Sequence, residues 1–466
     1  MPAQLNIIIN VDTIYDYGLY LIDMELQRLG SSLSRFPSMP TWTQEWNVQL
    51  SNRLLLSHMS YDPQVELERY QTNYTIMNLD QKAAIHKVMH SVEHKKGDIF
   101  FISGPAGTGK TFCYSTLCHA VRGQEKIVLC VASSGIAALL LKGGRTAHSM
   151  FKIPLDIKKN GICSISKQSQ LAEVIQKTEL IIWDEAPMQH RYCAEAVDNT
   201  LRDLLNKNDI PFGGMTVVFG EDFQQILPVV LKGSWGQTVT ASLLRSRLWD
   251  NINLIMLTEN MHLIANPENQ EYAEWLQRVG RGEETAEDGS ILLDEAMKCE
   301  NDITSLINSI YPSISQGDLP EDQYFLDRTI LCTLNEEMLS VNTAVLEKFS
   351  GQEYVFQSAD NIHFEEGVDA AGVGNLYPPE YLNSINHSGL PPSKLVVKLG
   401  CPLMLLRNID PQRGLCNGTR CVLLRCTQNV LEVRILGPNV DEADRIAFIP
   451  WITLYGPEEG LGSKFS

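Results

Sequence analysis

Residues Gly104 to Thr111 read G-P-A-G-T-G-K-T. Glycines at this spacing let successive backbone N–H groups curl toward an anion, where side chains would block its approach. Lys110 then reaches the outer phosphates, and the Thr111 hydroxyl is placed to ligate Mg²⁺. Gly104, Pro105, Ala106, Gly107, Thr108, Gly109, Lys110 and Thr111 are therefore the expected cradle of a nucleoside triphosphate. A second chemical group lies at Asp184-Glu185, directly after the apolar run Leu180-Ile181-Ile182-Trp183. A buried strand ending in two acids delivers both to a sheet edge. Asp184 suits Mg²⁺, and Glu185 suits activation of a water beside the last phosphate.

Two glutamines each fit two roles. Gln81 follows Asn78-Leu79-Asp80, so its amide either closes a capping box with Asn78 or reads an adenine edge. Gln225, in Phe219-Gly220-Glu221-Asp222-Phe223-Gln224-Gln225, either contacts the last phosphate or belongs to a polar turn. Ser133, Ser134 and Gly135, with Thr146, Ala147, His148 and Ser149, bracket one helix. Small hydroxyl residues there suit nucleic-acid backbone contact, and Lys152, Lys158 and Lys159 add local positive charge. A lone histidine such as His148 fits a structural role equally well.

The elements that must position these groups read as alternating strands and helices. Ile99 to Ile102, Ile127 to Val131, Leu180 to Trp183, Thr216 to Phe219 and Leu254 to Leu257 are expected strands of an α/β domain. Its sheet is parallel, with ligand at the strand C-termini. It spans residues 76–262. Residues 1–75 read as a helical lead-in without chemistry of its own, with helices over Ile14 to Leu29 and Leu50 to Met59. Residues 263–323 form a helical, acidic connector with helices at Glu271 to Val279 and Ser305 to Ile310. From residue 324 a second α/β region is expected, with a strand over Thr329 to Thr333 and a helix through Met338. Strands at Lys394 to Leu399, Leu403 to Leu406, Thr419 to Leu424 and Leu431 to Leu436 follow. No closing element is expected at Glu458 to Ser466.

The chain has 466 residues, with 44% hydrophobic and 20% charged, the composition of a globular protein with a large core. No apolar run is long enough to cross a bilayer, and Met1 to Asn10 lacks the features of a signal peptide. A net charge of −18 argues against a surface that coats nucleic acid, while leaving room for a local basic channel. The eleven cysteines include no Cys-x-x-Cys pair. Cys401, Cys416, Cys421 and Cys426 are either loosely spaced zinc ligands or reduced thiols packed in β structure, and their spacing favours the second.

Taken together and in order, these motifs resemble the Pif-type (petite integration frequency) DNA helicases of superfamily one, and most closely the copies carried by Helitron-like transposons. The resemblance rests on N-L-D-Q at 78–81, the phosphate loop, A-S-S-G-I-A-A-L-L-L at 132–141 and G-G-R-T-A-H-S at 143–149. It continues through I-I-W-D-E-A-P-M at 181–188, D-F-Q-Q-I-L-P-V at 222–229 and L-T-E-N-M at 257–261. C-P-L-M-L-L-R-N-I-D-P at 401–411 and G-L-C-N-G-T-R at 414–420 complete it. The resemblance implies two RecA-like domains, the second incomplete and carrying a β-rich insertion. It implies unwinding of duplex DNA by movement 5′ to 3′ along a single strand, driven by ATP with Mg²⁺. Repair, recombination, telomere maintenance and nuclear residence come with it. Lys110, Glu185 and Gln225 become catalytic. Gln81 reads adenine, and Ser134, Thr146, His148, Asn417 and Gly418 contact DNA.

Three departures stand out. Glu221 replaces the family's Gly, and His262 replaces its Arg after E-N-M. The closing K-S-Q-G and A-L-S-R motifs do not occur before Ser466. A C-terminally truncated, degenerate copy is the alternative expectation, binding ATP and DNA with little hydrolysis. The oligomeric state is not encoded in any of these motifs.

Overall fold

The structure is a computed structural model. It describes residues 52–358 apart from 221, 223–224, 226, 231, 262, 264–268, 300–301, 313 and 315–320. It also describes 393–452 apart from 411–413 and 438–444, parts of 15–43, and the short pieces 362–364 and 463–465. The described residues between 15 and 23 are helical (α1). Helix α2 (Arg53–Met59) starts where the Asn52 side chain accepts from the backbone N–H groups of Leu54 and Leu55. Helix α3 (Pro63–Ile76) has Asp62 as its cap and proline in its first turn, where a missing N–H costs nothing. Helix α4 (Leu79–Glu93) begins with a complete capping box between Asn78 and Gln81.

The α/β unit then runs β1 (Ile99–Ser103), α5 (Lys110–Gly123), β2 (Ile127–Ala132), α6 (Gly135–Leu140), β3 (Arg145–Thr146) and α7 (Ala147–Phe151). It continues with α8 (Gln170–Gln176), β4 (Thr178–Asp184), α9 (Arg191–Leu204), β5 (Thr216–Gly220), α10 (Trp235–Ala241) and β6 (Ile252–Met256). The six strands pair in the order β3-β2-β4-β5-β1-β6, all parallel. Alternate residues serve opposite faces, as the pleat dictates. Phe101, Leu129, Val131, Ile181, Trp183 and Phe219 pack with α7, α8 and α9 on one side. Phe100, Ile102, Val128, Cys130, Ile182 and Val218 pack with α4 and α5 on the other. Both faces being covered, the inner strands read as unbroken apolar runs. β6 lies at the edge, where Leu254 and Met256 are half exposed.

Helix α3, within the helical lead-in, packs along α5. Glu66 is buried against the His119 ring, with Oε2 2.6 Å from Nδ1. Asn73 Nδ2 donates to Thr116 Oγ1 at 3.1 Å. The Arg122 guanidinium lies 3.9 Å from the centre of the Tyr61 ring.

Past β6 come α11 (Gln270–Gly280), α12 (Ile303–Ile310), α13 (Asp322–Leu326) and α14 (Asn335–Lys348). Strand β7 (Glu353–Gln357) pairs with β9 (Lys394–Lys398), and β8 (Ile362–Phe364) with β14 (Ser463–Phe465). Strands β10 (Pro402–Met404), β11 (Arg420–Cys426), β12 (Val430–Ile435) and β13 (Ile446–Pro450) form an antiparallel sheet over a separate core that includes Phe325, Phe349 and Val397. Two expectations fail here. Thr329 to Thr333 is not a strand, and Leu331 is 88% exposed, because no described strand lies beside it to accept its ladder bonds. The terminus does carry an element, β14, whose partner β8 is about a hundred residues away and is marked by no local turn signal.

Candidate nucleotide-binding site

Strand β1 stops at Ser103, and the chain enters the phosphate loop at Gly104. A Cβ at Gly104 would stand 2.7 Å from both Leu257 O and Thr108 Oγ1, so only glycine fits. Gly107 and Gly109 take φ values of +85° and +84°, a left-handed backbone that glycine adopts without strain. Thr108 Oγ1 donates to Pro105 O at 2.9 Å and draws the turn closed. Lys110 opens α5 and folds back over the loop, its Nζ donating to Gly104 O at 2.7 Å and Pro105 O at 3.4 Å. A phosphate oxygen would be a stronger, charged acceptor for the same ammonium.

Two segments buttress this loop. Gln81 is buried, and both ends of its amide are used: Oε1 accepts from Asn78 N and Nε2 donates to Thr108 O at 3.0 Å. In this arrangement the capping role is filled, and one N–H of Nε2 and one lone pair of Oε1 remain beyond these two bonds. From the other side, Asn260 Nδ2 donates to Ala106 O at 3.1 Å and Met261 N to Gly107 O at 2.9 Å. Thr258 ties that segment to α4, its N–H and hydroxyl both donating to Asp80 Oδ2. These bonds hold the Asp80 carboxyl below its ordinary range. The sequence marked L-T-E-N-M as a motif but gave no signal of this role, because half of each contact is backbone.

Strand β4 carries Asp184 to the same sheet edge, 4% exposed, with Oδ1 accepting from Glu185 N at 3.0 Å. Glu185 has φ +53°, a conformation uncommon outside glycine. Its Oε2 accepts from Ser134 Oγ at 2.7 Å, and its carbonyl accepts from Ser133 Oγ at 2.5 Å. Carboxylate and hydroxyl oxygens, as at Asp184 and Thr111, suit a hard divalent cation such as Mg²⁺. Among the described residues no group of three or more His, Cys, Asp or Glu is placed to hold a metal. Cys401, Cys416 and Cys421 are buried thiols, and burial pushes Cys421 up to about 12.

The other expected residues divide between exposed turns and structural contacts. Gln225 is exposed in a turn whose N–H donates to Asp222 O. Glu221 and His262 lie outside the described residues. Ser134 caps α6 by accepting from Ala137 N, and Thr146 caps α7 by accepting from Ser149 N. His148 Nδ1 lies 3.2 Å from Gln189 Nε2, and burial lowers its pKa from the ordinary histidine value. Asn417 is exposed, and its N–H donates to Asn408 Oδ1. Gly418 has φ +90°, and a Cβ there would overlap the Ile136 side chain. The loop at 416–418 therefore lies against the start of α6.

A parallel sheet with a glycine cradle between its first strand and helix, and an acidic pair ending a strand two places away, defines a phosphate-loop NTPase of RecA-like fold. The comparisons narrow this. Residues 76–290 match the model of the PIF1-like helicase, and residues 380–425 match that of the 2B domain of DNA helicase Pif1. Both models describe Pif1-type helicases, and it is to these that the chain is similar. It is 26% identical over 343 residues to the ATP-dependent DNA helicase Pif1 of Psychrobacter sp. (strain PRwf-1), covering 72% of this chain and 45% of that protein. It is 27% identical to the Pif1 of Bdellovibrio bacteriovorus, covering 73% and 66%. The chain thus matches 45% and 66% of the length of these two relatives. Among solved structures, it superposes on Pif1 at forked double-stranded DNA with TM-score 0.54, 18% identity and coverage of 84% of this chain and 79% of that one. Bacteroides Pif1 in complex with ADP-AlF3 and single-stranded DNA gives 0.52 at 20% identity, covering 82% and 79%.

Proposed function

We propose that this chain is an ATP-dependent DNA helicase that couples hydrolysis to 5′ to 3′ movement on a single strand. The observation that carries the reading is the shared sheet edge. The cradle following β1 and the Asp184-Glu185 pair ending β4 lie at the C-terminal ends of parallel strands separated only by β5. Lys110 exchanges the carbonyls of Gly104 and Pro105 for phosphate oxygens. Thr111 and Asp184 would hold Mg²⁺, which would supply positive charge to the phosphoryl transfer. Glu185 accepts the proton of the attacking water, and Gln225 meets the last phosphate from the turn after β5. DNA runs past the α6–α7 segment and the loop at Asn417-Gly418.

The test is ATP turnover with and without single-stranded DNA, together with unwinding of 5′-tailed and 3′-tailed duplexes. Turnover stimulated by DNA, with opening of the 5′-tailed duplex alone, is expected. Lys110→Ala should abolish nucleotide binding as measured by fluorescent-nucleotide titration; retained binding would overturn the assignment of the cradle. Binding of nucleotide and DNA without turnover would favour the degenerate copy, the reading to which His262 points.

A further inference from the structure

The hydroxyl of Ser134 and the carboxylate of Glu185 are 2.7 Å apart, and the strand order gives that contact a direction. Strand β4, which ends at Asp184, lies between β2 and β5, and β1 with its phosphate loop is beyond β5. Ser134 follows β2. A Glu185 side chain bonded to Ser134 is therefore drawn to the flank of β4 opposite the nucleotide cradle. The backbone reinforces this placement. Ser133 donates to the Glu185 carbonyl at 2.5 Å, Ser133 N donates to Asp184 O at 3.2 Å, and Glu185 sits at φ +53°.

Resting on the function proposed above, we propose that Ser134 is a positioning residue that parks Glu185 away from the nucleotide, and that turnover requires this bond to be exchanged. The segment holding Ser134 is in contact with the second half of the chain. A Cβ on Gly135 would lie 3.2 Å from Asn417 O, and Gly418 abuts Ile136. A shift of the loop at 416–418 moves the start of α6, and with it the hydroxyl that holds the carboxylate. The latch thus ties the state of the second half to the base, without any change at Lys110 or Thr111.

The experiment uses the full chain and two readouts. Ser134→Gly removes the hydroxyl, and glycine is itself a tolerated helix cap. In the nucleotide-free protein, thermal melts of Ser134→Gly, Glu185→Gln and the double variant form a cycle. Melting shifts that fail to add are expected; additive shifts would overturn the contact. In turnover, Ser134→Gly should raise the DNA-free kcat several-fold with KM for ATP unchanged, so that DNA stimulation shrinks. Ser134→Thr, which keeps the hydroxyl, should behave as the parent chain. A DNA-free rate unchanged or lowered in Ser134→Gly, with the parent still stimulated by DNA, overturns the latch and leaves the helicase reading standing. A parent chain that hydrolyses nothing with DNA overturns that reading, and the latch's effect on turnover with it.

Discussion

One methyl group at position 109 separates a working cradle from a blocked one. The φ of +84° there is strained for any L side chain, and an added Cβ would stand 2.5 Å from Gln81 Nε2. Gly109→Ala is therefore predicted to cost about 1–3 kcal/mol of stability and to weaken nucleotide binding, both readable by melting with and without ATP. This part of the site was legible because glycine spacing is itself the signal. The partners of the cradle were not. The Asn78–Gln81 capping box was legible from its spacing, but the bonds from Gln81 to Thr108 O and from Asn260 to Ala106 O end on backbone carbonyls and leave no pairwise pattern in the sequence. Ser134, Thr146 and His148 were legible as a cluster, but their cap and packing bonds depend on which way each side chain turns. His58 makes a further residue-scale prediction. Burial, then the charges of Arg145 and Arg122, lower its pKa from 6.5 to about 4. The unfolded chain therefore binds this proton more readily than the folded one. The associated stability is complete above about pH 6.5 and is lost as pH falls toward 4. His58→Asn should flatten that part of the melting curve against pH, and an unchanged slope would refute the assignment.

At the scale of elements, the strands buried on both faces declared themselves. β1, β2, β4 and β5 each carry an apolar run because helices cover both sides of the sheet. Trp183 shows what that packing is worth. It lies between the rings of Phe151 and Phe219, at centroid distances of 5.9 and 5.7 Å, with its indole N–H buried and unpartnered. Trp183→Ala should cost about 3–5 kcal/mol, whereas Trp183→Phe keeps most of the contact and removes the unsatisfied donor. Chemical denaturation of the two variants separates these outcomes. The two-residue β3 escaped notice because Arg145-Thr146 has no apolar run. Thr329 to Thr333 misled for the opposite reason: it has strand-like residues, but pairing is a property of a neighbour, and none of the described strands lies beside it. The antiparallel strands β11 and β12 were found by alternation, while β13, which pairs with β12 and exposes Phe448, was not.

For the whole molecule, the division between chemistry and support falls differently from the motif map. The packing around the nucleotide domain extends ahead of the capping box at Asn78. The outer wall there is made by α2 and α3; the sequence marked a helix over Leu50 to Met59 and none over 63–76, and the partners of the two helices lie on α8 and α5. Asn52 Nδ2 reaches Glu173 Oε2 at 3.2 Å, and Glu66 and Asn73 meet His119 and Thr116. That wall also shelters a peptide bond. Arg122 is 4% exposed under the Tyr61 ring, so trypsin has no access to it while the ring is in place. A chain shortened to begin at residue 76 should be cut after Arg122, severing the helix of the phosphate loop from β2, whereas one beginning at residue 52 should resist. Digestion followed by mass mapping distinguishes the two, and equal resistance would show that the wall is dispensable. A piece of the protein cut at the motif boundary would thus carry every residue needed to grip a nucleotide and still be taken apart by a protease from behind.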